Sequence, residues 1–204
     1  MALAGKTKQT VVSEFRAAEI LAAARKIFAI RGFSDATVDE IAAAADMAKG
    51  TVYLYYPSKK DIYLAALKHG LMELREKTRQ NMHAATGIQA KLRSFISTRL
   101  EYAEANRDFI KIYHSEFGNL TNAAACDSEF QTLYLEQAKL LDLVLRAAVK
   151  SGEIRSIRTD FTAFIIYDMV RGVMTQRLLE WSAAAIEEDI ELLNDLVWRG
   201  IAAA

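Results

Sequence analysis

Residues 37–57 read TVDEIAAAADMAKGTVYLYYP, a pattern of two short helices about a tight turn. Thr37, with Glu40 three residues on, forms a capping box in which each side chain satisfies an orphan amide beside the other. It opens a short helix holding Val38, Ile41, Ala42 and Ala45. Asp46-Met47 makes a tight turn, and a second short helix then carries Lys49-Gly50-Thr51-Val52-Tyr53-Leu54-Tyr55-Tyr56 until Pro57 stops it. A helix needs roughly 12 to 15 residues to be even marginally stable alone, so two this short must be braced by neighbours. Ile41, Ala42, Ala45, Met47 and Val52 are the expected inward contacts. Lys49, Gly50, Thr51, Tyr53 and Tyr55 then face outward, a set suited to the charged ridges and grooves of duplex DNA. Gly50 costs a helix up to about 1 kcal/mol relative to alanine and therefore asks for a reason.

The braces are visible on either side. A helix from about residue 13 to residue 31 places Phe15, Ile20, Leu21, Ala24, Ile27 and Phe28 on one face, and Gly32 sits where a left-handed terminator is cheapest. After Pro57, Ser58 with Asp61 caps a long helix to about residue 84, striped by Leu64, Leu67, Leu71 and Leu74. Lys59 and Lys60 stand in its first turn, where cations oppose the helix dipole unless an anion such as a phosphate lies nearby.

Composition agrees with helix throughout. Only one proline and nine glycines interrupt 204 residues, and 52% of the chain is hydrophobic. Net charge is zero, yet residues 1–60 hold nine basic against six acidic side chains, leaving +3 there and −3 in the remainder. No apolar run reaches the roughly 18 to 20 residues of a membrane span, and the first ten residues have no apolar signal core. With the single Cys126, this leads us to expect a cytoplasmic protein that does not engage membranes. His69, His83 and His114 are too far apart in sequence for a local metal motif, and no acid, base or nucleophile clusters, so neither metal, cofactor nor catalysis is expected.

The stretch from Ile20 to Leu67 resembles the N-terminal domain of the TetR family of repressors. The resemblance is carried by Ala24, Phe28, Gly32-Phe33, Thr37-Val38, Ile41-Ala42, Ala45, Lys49-Gly50-Thr51-Val52-Tyr53, Tyr55-Tyr56, Ser58-Lys59 and Ile62. It implies an all-α protein of about nine helices: a three-helix helix-turn-helix DNA-binding domain over 1–57 and a larger helical domain over 58–204 for ligand binding and dimerisation. It implies a homodimer on a palindromic operator in double-stranded DNA, with Thr37, Tyr55 and Lys59 at phosphates and Lys49, Gly50, Thr51 and Tyr53 toward the groove. Asp46 stands where the family's turn usually has glycine, and Ala48 where it usually has a serine cap. Tyr56 replaces a usual phenylalanine.

Beyond residue 85 the pattern is helical, apart from a small polar stretch, 119–127, read as a loop. The helix near 160–181 has two apolar stripes, Phe161, Phe164 and Ile165 against Ile166, Val170, Val173, Met174, Leu178 and Trp181. The last helix has Ile186, Ile190, Leu193, Val197 and Ile201 beside Leu192 and Leu196. Met174, Leu178, Trp181, Ile190, Leu193 and Val197 are assigned to a two-fold interface, although the same stripes also suit intrachain core. For an unknown small-molecule effector the resemblance implies a pocket, and Phe109, Tyr113, His114, Phe117, Tyr134 and Tyr167 are its candidate lining. The competing possibility is a helical ligand-binding or assembly protein whose short helix pair is only structural.

Overall fold

The computed structural model describes residues 8–117 and 128–203, and nine helices follow one another in them. They are α1 (Lys8–Asp35), α2 (Val38–Ala44), α3 (Lys49–Tyr55), α4 (Lys59–Ala84), α5 (Ile88–Ala105), α6 (Arg107–Phe117), α7 (Ser128–Ser151), α8 (Thr159–Leu178) and α9 (Ile186–Ile201). The expected all-α class holds: among the described residues the nearest thing to a strand is one isolated bridge between Ile154 and Ala202. The proposed loop at 119–127 lies outside them.

α1 starts at Lys8, earlier than expected, and its buried residues begin only at Ile20. Phe15, expected inward, is therefore 63% exposed, because the helix runs past the elements that cover it. Gly32 breaks the helix at φ 74, as its lack of a side chain allows. The chain beyond the break folds Phe33 back against Tyr63 of α4, with ring centroids 5.0 Å apart, and Tyr63 meets Phe28 of α1 edge-on at 5.1 Å. Ser58 caps α4 by accepting from the Asp61 amide.

α4 is the spine shared by both halves of the molecule. Its first turns pack on α1 through Tyr63, and further along it packs against α5, α6 and α7. Gly70 sits mid-helix where a Cβ would meet the Phe109 ring at 2.3 Å, so the missing side chain lets α6 lie directly on α4. α5 is the hub of the C-terminal body, touching α4, α6, α7, α8 and α9. Its buried stripe contains Leu92, Phe95, Ile96, Leu100 and, among these apolar residues, Arg99.

Burial within the chain divides the two C-terminal stripes differently from the interface expected of them. Ile190, Leu193 and Val197 are buried within the chain, on the α9 face that folds back on α5, and Met174 is buried in the same protomer. Leu178 is half-buried, and of the six assigned interface residues only Trp181 is exposed. α8 ends at Leu178, before the expected residue 181, as Glu180 turns to φ 58. Left exposed instead are Phe161 and Ile165 on α8 and Leu192 and Leu196 on α9. A single helix cannot offer the same stripe to α5 and to solvent, and the larger stripe of α9 went inward.

Candidate nucleic-acid interface and interior cavity

The capping box at the start of α2 is formed as the spacing predicts. The Glu40 amide donates to Thr37 Oγ1 at 3.2 Å, and the Thr37 amide donates to the Glu40 carboxylate at 2.9 Å. These bonds to Thr37 hold the exposed Glu40 carboxyl below its usual range. Asp46 adopts φ 53, so the turn survives with aspartate in the left-handed position. Ala48 precedes α3 without a side-chain cap, as its missing hydroxyl requires.

Val52 anchors α3 in the core at 0% exposure. Gly50, Tyr53 and Leu54 occupy one outward face at i, i+3 and i+4, with Lys49 beside them. Thr51 is half-buried, and Tyr55 packs against the core instead of pointing fully out. Leu54, 84% exposed, was missed. Its signal was available, since it lies two positions from the inward Val52 and on the same face as Gly50. An exposed leucine on such a face can meet a thymine methyl, and Tyr53 offers a hydroxyl. A Cβ on Gly50 would find open space, so nothing inside the protein requires glycine there.

Two of the lysines are already engaged. Lys49 Nζ lies 2.7 Å from the Asp39 carboxylate, an exposed pair that solvent screens and a phosphate can replace. That bond raises the Lys49 pKa above its ordinary value. Lys59 Nζ donates to the carbonyls of Ser34 and Ala36, each at 2.9 Å, and sits 4.7 Å from the Phe33 ring centre. It thus ties the start of α4 to the chain released by the break at Gly32, which explains a cation in that turn without invoking DNA. Lys60, its neighbour, is exposed.

In the C-terminal body α4, α5, α6 and α8 enclose a narrow cavity with room for little more than one water molecule, lined among others by Arg99, Phe109, Ile110, Tyr113, Tyr167 and Met174. Of the candidate lining, Phe109, Tyr113 and Tyr167 are there. The two tyrosine hydroxyls hydrogen-bond at 2.6 Å, and burial pushes both phenols up. Tyr134 forms a second layer, its ring 5.2 Å from Tyr167 and its hydroxyl donating to Asp168 at 2.7 Å. His114 is not in the lining; it faces Thr175 of α8, and burial with the nearby Arg171 lowers its pKa to about 4. The Phe117 side chain lies outside the described residues.

Arg99 was missed, although it fills the gap in the α5 stripe between Ile96 and Ala103. It is 2% exposed, with its guanidinium over the rings of Phe95 and Tyr167 at 5.1 and 4.7 Å. Nε and Nη1 have no hydrogen-bond partner among the described residues. The cavity also touches the DNA-binding end through α6. One residue before Tyr113, the Ile112 carbonyl accepts from Tyr63, and Tyr63 is the ring that packs on Phe28 and Phe33.

A braced short helix pair with an exposed groove-sized face, joined through α4 to a helical body with an interior cavity, defines a helix-turn-helix transcriptional regulator that binds DNA. The profile of the bacterial regulatory proteins of the tetR family matches residues 20–66, and that of the tetracyclin repressor-like C-terminal domain matches residues 85–175. The HTH-type transcriptional repressor KstR2 of Rhodococcus jostii is 30% identical over 147 residues, covering 69% of each chain. The chain belongs to the TetR family. Its fold resembles the fatty acid degradation regulator FadR of Bacillus halodurans, with TM-score 0.80 and 21% identity over 89% of this chain and 94% of that one. It likewise resembles FadR of Bacillus subtilis, solved in complex with stearoyl-CoA, with TM-score 0.80 and 20% identity over 88% and 96%. Among the described residues no helix is long and apolar enough to cross a membrane, and no three His, Cys, Asp or Glu side chains group as metal ligands.

Proposed function

We propose that the protein is a ligand-responsive repressor that binds a palindromic operator as a homodimer. The observation that carries this is the outer face of α3, where Gly50 has open space around it and Tyr53 and Leu54 stand exposed beside Lys49. Gly50, Tyr53 and Leu54 approach base edges, while Lys49, Lys60 and the α2 N-terminus at Thr37 meet phosphates. Tyr55 and Lys59 have bracing roles first, Thr51 is half-buried, and any contact these three make with DNA is at its backbone.

Dimerisation is supported by the apolar set Phe161, Ile165, Leu192 and Leu196, which a second copy would cover in a four-helix contact. The functional division follows: α1 to α3 with the first turns of α4 hold DNA, and the remainder holds effector and partner. Without side-chain movement the cavity admits little more than a water molecule, so an effector must part its walls. Tyr113 and Ile112 are adjacent on α6, so parting the walls shifts the helix that leans on Tyr63 and hence on the DNA-binding end. An effector that prefers the parted state draws the dimer off DNA by that difference in affinity.

The test is the affinity of the purified chain for duplexes selected from a random pool, measured against salt. Log affinity is expected to fall linearly with log salt, as charge contacts to phosphate demand. Failure to retain any duplex at low ionic strength would overturn the assignment.

A further inference from the structure

Arg99 is a buried cation, and among the described residues no anion is paired with it. Among the described residues no carboxylate forms a salt bridge with it, whereas its neighbour Arg171 is matched by Asp168 at 3.0 Å. Among the described residues the single N–H of Nε and the pair on Nη1 lack acceptors. Face-on contact with Phe95 and Tyr167 softens the burial of the charge but satisfies none of those donors. An interior ionic group left this way costs several kcal/mol, and a packed apolar side chain of similar volume would fill the same space more cheaply.

The surroundings narrow what would complete it. Ile110 and Met174 stand between the cavity at Arg99 and a second cleft, and line both. Leu100, Ala103 and Leu178 line that outer cleft, with Glu104, Arg107 and Arg177 also on its wall. Met174 is an unbranched, adaptable side chain and can move aside. One unmatched positive charge at the inner end, with the apolar side chains of Ile110, Met174, Leu100, Ala103 and Leu178 beyond it, suits a single negative charge on an apolar tail.

We propose that the effector is a monocarboxylate with an apolar chain, bound with its carboxylate inside against Arg99 and its chain passing Ile110 and Met174. This rests on the cavity being the effector site. It also differs from a thioester ligand, whose carbonyl brings no charge to the guanidinium.

The experiment is thermal melting and calorimetric titration of the full chain with acetate, butyrate, octanoate and laurate. Each is run beside the alcohol of the same chain, and octanoyl-CoA is run as a further arm. At least one of the longer carboxylates is expected to bind saturably and raise Tm, with its alcohol far weaker. Arg99→Met is expected to weaken that carboxylate by about 30-fold or more and to leave the alcohol unchanged, as removal of one partner of an interior charge pair does. Should Arg99→Met not fold, Arg99→Lys serves instead, with weakened carboxylate binding that still exceeds that of the alcohol. The inference is overturned if no carboxylate binds, if carboxylate and alcohol bind alike, if Arg99→Met binds the carboxylate as wild type does, or if octanoyl-CoA is bound and octanoate is not. Duplex binding by the wild-type chain is read separately, so a failed carboxylate arm with intact DNA binding removes the effector class and leaves the regulator.

Discussion

Gly50 and His114 each carry a cost whose origin lies in their surroundings. Glycine inside α3 weakens the helix, and the open space around it means that alanine would fit the folded protein. Gly50→Ala is therefore expected to stabilise the chain by up to about 1 kcal/mol while weakening DNA binding, read by thermal melting and duplex titration. A variant that is stabilised and binds DNA normally would show that the glycine serves nothing at the groove. His114 is held neutral, its pKa lowered from 6.5 to about 4 by burial and by Arg171. The unfolded chain therefore binds the extra proton first as pH falls, and stability is lost between about pH 6.5 and pH 4, not gained. The loss is of order 2 kcal/mol once solvent access to the ring is discounted. Denaturant melts across that range should show a shallower slope for His114→Gln than for wild type; equal slopes would contradict the assignment.

At the scale of elements, what could be read in advance depended on whether the signal was local. The capping box of α2, the end of α3 before Pro57, the break at Gly32 and the left-handed Asp46 all follow from short-range chemistry, and all are present. Lys59 shows the limit: its partners at Ser34 and Ala36 lie across the fold, and no spacing rule announces them. Lys59→Ala is expected to cost about 1 to 2 kcal/mol of stability by leaving those carbonyls without their donor. Lys60→Ala should leave stability unchanged and reduce the slope of log affinity against log salt by about one. The reverse assignment of effects would contradict these roles. Ala48→Ser supplies the missing cap of α3 and should raise stability by about 0.5 to 2 kcal/mol in the same melts, whereas no gain would mean the cap geometry is wrong.

For the whole molecule, two apolar stripes on one helix cannot be ranked from sequence, because either can be the inner one. Leu192 and Leu196 were visible beside Ile190, Leu193 and Val197, but only the packing of α9 on α5 settles which set is left out. Arg99 escaped for a related reason: an arginine at a core position of a helical stripe looks like a solvated interruption until its helix is surrounded by five others. The pair Leu192→Glu and Leu196→Glu should leave the fold intact and yield monomers in analytical ultracentrifugation, with duplex affinity greatly reduced. A dimer that survives both charges would move the interface elsewhere. Chemical protection of major-groove guanine N7 atoms on a selected duplex tests most directly whether α3 enters the groove. A dimer with Gly50, Tyr53 and Leu54 at the base edges predicts two protected patches about one helical turn apart, both lost in Gly50→Ala. Bound DNA whose major groove stayed fully reactive would contradict it.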